Sequence, residues 1–427
     1  MGGDKQQRAT NKIIRKINRF SFGFIEGKID FHEKHNSTYK DNDILASLIF
    51  LFNRNRYPEN GCKRYKEITK RNVPDADTIY RRIKMKRWKE ILLEYNEIEA
   101  EIINEVKKRT HSNKAIVLID EHEIPWYGEP NEYVVGTKNF HGTKLAFKYM
   151  TINVLIHEYK ICLFALPVTP LSEEYELVDD LLNLAEKFFK IRLILFDRGF
   201  SRDSKILKVV EKHGLKYLAP MEKSDRIKRI ANSGDGVNPF YHMHYEFGKE
   251  KAKTNLFFIP NEKYEKEKWK NYHVFCTNID VTKANLIFLA DLYGMRWNIE
   301  NFYRDGENFM IKTKTADFVV RYFFFLFMSI LYNLWYLVRV RSPITAQEWK
   351  DLVEDKITGE NDDFIEIYSI YVAFKNLLST FINTGVSSAF YFIGEIMKYD
   401  FKQICDCLLY TSPSPRDLST SRMPSSA

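Results

Sequence analysis

The chain has 427 residues, 44% of them hydrophobic and 29% charged, with mean hydropathy of −0.38. That describes a soluble globular protein large enough for two or three domains, and it excludes collagen-like, wholly disordered and disulfide-scaffold classes. Five cysteines (Cys62, Cys162, Cys276, Cys405 and Cys407) include no C-x-x-C pair. They suit a reducing, cytoplasmic setting, and no apolar run follows the basic N-terminal residues as a secretory signal would require.

Charge is unevenly placed. Residues 1–110 carry 25 Lys and Arg against 16 Asp and Glu, a net of +9, whereas residues 111–427 carry 40 against 41. A basic excess confined to one quarter of a chain suits a polyanion partner, because each phosphate neutralised releases a condensed counterion. A solvated basic face would have the same composition.

In chain order, residues 1–110 read as a helical domain. Ile13, Ile14 and Ile17 form one stripe at helical spacing, and Ile44, Leu45, Leu48, Ile49 and Leu51 form another. The stretch Pro74-Asp75-Ala76-Asp77-Thr78 is a helix start. Behind it, residues 79–98 are expected to form a basic helix that resembles the second helix of a helix-turn-helix. Arg81, Arg82, Lys84 and Arg87 are its candidate DNA contacts.

From 115 onward, short β-branched runs (AIVLID, KYMTINVLIHEY, ICLFALPV, IRLILFD and LKYLAP) alternate in part with helical patterns at 173–190 and 203–213. Three strands precede any helix, so an α/β layer with a mixed sheet opening on an antiparallel meander is expected. Residues 221–280 turn polar around NLFFIP and YHVFCTN and read as a β-rich insertion. Helices are expected at 281–305, 318–341 and 364–400. The 17 uncharged residues between Arg321 and Arg339 approach a membrane span in length, but Ser329 and Asn333 within them favour a buried helix. Residues 408–427 become Ser/Pro/Thr-rich and resemble a translated sequencing-adapter read-through. The expected organisation is a helical DNA-binding domain at 1–110, a catalytic domain at 111–345, a helical region at 346–404 and a non-native tail at 405–427.

Three acidic residues stand out. Asp120 ends AIVLID and Asp197 ends IRLILFD, where the ladder holds the backbone while the carboxylate projects at the sheet edge. In DLYGMRWNIENFYRDGENF, Tyr293, Arg296 and Glu300 fall at i, i+3 and i+7 and share one helix face. Each feature also has a plainer account, in turn chemistry for the aspartates and in a surface ion pair for Arg296 with Glu300. Gathered together, three carboxylates could hold Mg²⁺ or Mn²⁺ for in-line phosphoryl transfer. His32-Glu33-Lys34-His35 and His242-Met243-His244 read as surface or turn histidines, because no cysteine completes a metal site. Neither a phosphate-binding G-x-x-x-x-G-K-[ST] loop nor a G-x-S-x-G elbow is present.

The segments VLIDEHEIPWYG, LILFDRGF and YGMRWNIENFYR resemble, in order, the three catalytic blocks of the DDE transposases of bacterial and archaeal insertion sequences. The likeness is to the cut-and-paste group with the spaced Y-(2)-R-(3)-E-(6)-K signature, and it spans about residues 115–340. The lysine of that signature would fall at Glu307, and Lys312 or Lys314 are the candidates to replace it. The resemblance implies an RNase H-like core flanked by helices, with Asp120, Asp197 and Glu300 as catalytic metal ligands. It further implies that Tyr293 and Arg296 hold DNA phosphates, that Trp297 could stack on a flipped base, and that Arg321 and Tyr332-Asn333-Leu334-Trp335 belong to a buried helix. Lys138, Lys144 and Lys148 are further backbone-contact candidates. The implied partner is double-stranded DNA at transposon ends and target, bound by a homodimer, with no membrane. A nuclease of the same fold and a catalytically dead DNA-binding relic are the alternatives.

Overall fold

The computed structural model describes residues 23–261, 266–340 and 345–358. The expected helix at 364–400, the tail and the Ile13–Ile17 stripe lie outside them. Four helices come first: α1 (Asp41–Asn53), α2 (Pro58–Thr69), α3 (Ala76–Lys84) and α4 (Trp88–Thr110). Asp75 caps α3 by accepting from the Thr78 amide at 2.7 Å, as the helix-start signal requires. The expected single basic helix is in fact two. Chain direction changes at Met85–Arg87, where Lys86 turns inward to pair with Glu94 at 2.5 Å and Glu90 accepts from the Arg87 amide at 2.8 Å to start α4.

The sheet has nine strands: β1 (Lys114–Pro125), β2 (Val134–Phe140), β3 (Thr143–Ile156), β4 (Tyr159–Val168), β5 (Lys190–Phe196), β6 (Tyr217–Pro220), β7 (Phe240–Phe247), β8 (Ala252–Pro260) and β9 (Tyr272–Thr277). Their order is β2-β3-β1-β5-β6-β9-β8-β7, with β4 also paired to β3. β3 is long enough to serve two partners along one edge, β2 through residues 143–147 and β4 through 148–156, with β1 on its other edge. The β4-β3-β1 meander is antiparallel, and β5 and β6 then run parallel to β1. The crossovers are α5 (Glu174–Glu186) and α6 (Ser204–Lys212). This is a mixed α/β sheet flanked by helices in RNase H-like order, as the sequence leads one to expect. The polar stretch after β6 holds α7 (Asp225–Asn232) and strands β7 to β9, and β9 pairs antiparallel with β6, so the insertion extends the same sheet.

After the sheet come α8 (Leu286–Tyr293), α9 (Trp297–Gly306), α10 (Phe318–Arg339) and α11 (Ala346–Thr358). α10 is the centre of the core, with nearly every residue buried. It is long and apolar enough to cross a membrane, but 94% of its apolar window is enclosed by protein. Phe52 of α1 meets Phe324 and Phe327 at 5.6 and 4.9 Å, and Tyr149 of β3 stacks on Phe325 at 4.4 Å. Buried polar groups are matched across the same seam. The Asn333 amide donates to Glu99 and to the Cys162 carbonyl, both at 2.9 Å, and accepts from the Cys162 amide at 3.0 Å. The Tyr95 hydroxyl donates to that same carbonyl at 2.8 Å. The N-terminal helices therefore share one core with the sheet.

Candidate active site

Asp120 does not end its strand. β1 continues to Pro125 because β3 goes on pairing with it, from Asp120↔Thr151 to Pro125↔Ala146. The other edge is different: β5 stops at Phe196, opposite Ile119, so Asp120 is the first β1 residue beyond its parallel neighbour and Asp197 is the first residue after β5. The two aspartates thus stand side by side at the notch where a sheet edge opens. Strand alternation divides the neighbourhood between the two faces. Asp120 and His122 lie opposite Thr151 and Tyr149 on the face covered by α9 and α10, where His122 stacks on Tyr303 at 4.4 Å and on Phe325 at 5.5 Å. Glu121 and Glu123 point the other way, where Lys148 bridges them at 2.9 and 3.1 Å. That pairing occupies Lys148, one of the suggested backbone contacts.

Tyr293 ends α8, and Gly294–Arg296 form a 3₁₀ turn before α9 begins. With three residues per turn, that segment aligns Tyr293 with Arg296, and the first turn of α9 brings Glu300 beneath. The expected shared face therefore survives a break in the helix. The Arg296 guanidinium lies 5.8 Å from the Tyr293 ring centroid, donates to Glu300 at 2.6 Å and stands 3.8 Å from the Asp120 carboxylate. The Tyr293 hydroxyl donates to the Phe196 carbonyl at 3.2 Å, which ties this segment to the end of β5 beside Asp197.

The electrostatics are those of a site short of positive charge. Burial pushes the Asp120 carboxyl up to about 7, and Asp197 adds repulsion; the Glu121 amide, donating at 2.9 Å, and Arg296 oppose the rise without cancelling it. The Arg296 guanidinium is held above its ordinary range by Tyr293, Asp197, Asp120 and Glu300 against the effect of its own burial. Two adjacent carboxylates with a single shared guanidinium fit a hard divalent cation as donors. Among the described residues no three His, Cys, Asp or Glu side chains stand close enough to hold an ion together. The Glu300 side chain, 42% exposed, is turned toward Arg296 and paired with it.

The remaining candidates are dispersed. Trp297 is 64% exposed at the start of α9. Arg81, Lys84 and Arg87 are exposed, and an open depression of about 400 Å³ is lined by Asp77, Tyr80, Arg81, Lys84 and Met85. Lys84 also stands 3.6 Å from Asp317. Arg82 is turned to structural use, its guanidinium donating to the Phe31 and His32 carbonyls and to the Ser37 hydroxyl. Glu307 is exposed in a turn. Beyond it, Lys312 and Lys314 project from an extended segment that the Tyr80 and Thr313 hydroxyls, 3.2 Å apart, link to α3. Arg321 pins that segment by donating to the Thr315 carbonyl at 2.6 Å, and it stacks on Trp126 and Phe147 at 4.7 and 4.6 Å. His32 and His244 both sit at positive φ, His244 at an irregularity in the β7–β8 ladder.

Sequence reasoning passed over three residues around Asp120: Thr151, Tyr303 and His122. The period-2 alternation of KYMTINVLI puts Thr151 and Tyr149 on one face, which is the signal that could have found the first of them.

A family model described as a transposase DDE domain matches residues 111–334, more than half of the chain. The chain belongs to this family: it is a DDE transposase. A solved structure described as a piggyBac transposase synaptic complex with hairpin DNA is similar at 10% identity and a TM-score of 0.47, over 84% of this chain and 82% of that one. No curated protein matches.

Proposed function

We propose that this transposase hydrolyses phosphodiesters at transposon ends to free 3′-hydroxyls and then joins those ends to target DNA by direct transesterification. The observation that carries the reading is the placement of Asp120 beside Asp197 at the end of β5, with Arg296 holding Glu300 across from them. Enzymes of this family use divalent metal ions, and in this chain Asp120, Asp197 and Glu300 would hold Mg²⁺ or Mn²⁺. When bound, the metal supplies activation of the attacking hydroxyl and charge stabilisation at the leaving oxygen. Glu300, now paired with Arg296, would turn to the ion, which would leave the Arg296 guanidinium available for a DNA phosphate, with Tyr293 beside it. Trp297 offers an exposed ring for an unstacked base, and Arg81, Lys84 and Arg87 neutralise phosphates of the end DNA. Residues 1–110 act as the DNA-binding region and residues 111–345 as the catalytic one. The protein works on double-stranded DNA as a homodimer, in the cytoplasm and on the nucleoid when bound.

The test is cleavage of labelled transposon-end DNA with Mg²⁺ or Mn²⁺ by the parent and by Asp120→Asn, Asp197→Asn and Glu300→Gln. Loss of cleavage by about 1,000-fold or more in each variant, with end binding kept, supports the triad. An inactive parent that still binds ends points to a relic, and cleavage without joining of pre-cut ends to a nuclease.

A further inference from the structure

The Tyr303 phenol lies directly behind Asp120, joining the helix of one carboxylate to the strand of another. Tyr303 is three residues after Glu300 on α9, so the two share a face of that helix. Its hydroxyl is 2.7 Å from the Thr151 hydroxyl. Thr151 is buried, faces Asp120 across the ladder between β3 and β1, and donates to the Asp120 carbonyl at 3.4 Å. The hydrogen bond between the two hydroxyls and the contact from Thr151 to the Asp120 carbonyl together link α9 to the backbone of Asp120. The flat of the ring is fixed as well, stacked on His122 at 4.4 Å, two residues along β1 from Asp120.

We infer that Tyr303 is a positioning residue, setting the distance between the Glu300 helix and the Asp120 strand so that both carboxylates reach one metal ion. This rests on the functional reading above. Glu300 itself has one strong hold, the Arg296 guanidinium, and must give it up to bind metal. Its reach then depends on where the backbone of α9 stands. Close to Glu300 on the same helix face, Tyr303 makes the hydrogen bond that spans from α9 to the ladder carrying Asp120. A site of this kind tolerates about 0.5 Å of misplacement, and Mg²⁺ in particular demands near-ideal octahedral geometry.

The experiment compares Tyr303→Phe, Thr151→Val, Thr151→Ser and the Tyr303→Phe/Thr151→Val pair with the parent. Two readouts are used: Mn²⁺ affinity by calorimetry without DNA, and kcat and KM for end cleavage. Tyr303→Phe and Thr151→Val are expected to weaken Mn²⁺ binding and lower kcat by about 10- to 100-fold each, with KM for end DNA within about twofold. The pair is expected to be no worse than either single change, and Thr151→Ser, which keeps the hydroxyl, to stay near the parent. Parental Mn²⁺ affinity and kcat in Tyr303→Phe would overturn the inference alone, as would additive losses in the pair or an equal loss in Thr151→Ser. A parent that neither binds Mn²⁺ nor cleaves would overturn the underlying reading and the inference with it.

Discussion

Arg296 donates to Glu300 at 2.6 Å while its other terminal nitrogen stands 3.8 Å from Asp120, so one guanidinium occupies the space between two of the three acidic residues. The cation that a metal ion would displace is thus part of the chain. Arg296→Ala is expected to bind Mn²⁺ about tenfold more tightly in the absence of DNA, because a positive charge near the carboxylates is gone. Cleavage is expected to fall by about 100-fold if, as proposed above, the same side chain contacts the DNA phosphate. Calorimetry and end cleavage on one preparation measure the two effects, and weaker Mn²⁺ binding in the variant would contradict this account.

The buried network at Glu99 sets a pH dependence. Burial holds its carboxyl well above the ordinary 4.5, and the hydrogen bond from Asn333 lowers it only in part. The native state keeps a proton that the unfolded chain gives up as pH passes 4.5, so stability falls as pH rises above that point, until the native carboxyl also ionises. Glu99→Gln removes the dependence. It is expected to be more stable than the parent at pH 8, by about 2 kcal/mol, and to lose that advantage at pH 4. Urea denaturation at the two pH values decides the matter.

At the helical surface, Arg81 and Lys84 flank the depression on α3. Replacing both with Ala is expected to weaken binding to DNA of any sequence and to reduce the slope of log affinity against log salt by about two. An unchanged slope would place the DNA elsewhere. Arg82, bound to the Phe31 and His32 carbonyls, is expected to differ. Arg82→Ala should lower the melting temperature, a change that Arg81→Ala should not produce.

Phe325 is fully buried between Tyr149 and His122. Phe325→Ala is expected to cost about 3–5 kcal/mol in unfolding free energy, from lost transfer and the cavity left behind. Far-UV circular dichroism with urea checks the magnitude, and a loss under 1 kcal/mol would mean that α10 is packed less tightly than described.

β4 and β5 are legible because apolar runs such as ICLFALPV and IRLILF have nowhere to go but a buried sheet. β2 is not: VVGTKNF carries Gly136, Lys138 and Asn139, and it forms a strand because β3 offers it an edge. The aspartates were legible from their strands, but the reason Asp120 is accessible was not. That reason is the length of β5 relative to β1, a property of two segments together. Spacing also led to Tyr293, Arg296 and Glu300, whereas the break at Met85 that divides the basic helix comes from Lys86 choosing Glu94, a tertiary preference that periodicity does not record. Nor could periodicity foresee that Thr151 and Tyr303, 152 positions apart, would share a hydrogen bond.

The pairing of α4 with α10 bears on how the polypeptide is made. Glu99 and Asn333 are 234 residues apart. At ribosomal rates of about 5–20 residues per second, the first helices wait roughly 10–50 s before the segment that completes their interior has been synthesised. Throughout that interval the nascent chain presents Phe52 and the apolar side of α4 to solvent, so its yield in a cell should depend on chaperones that shield such surfaces until α10 emerges.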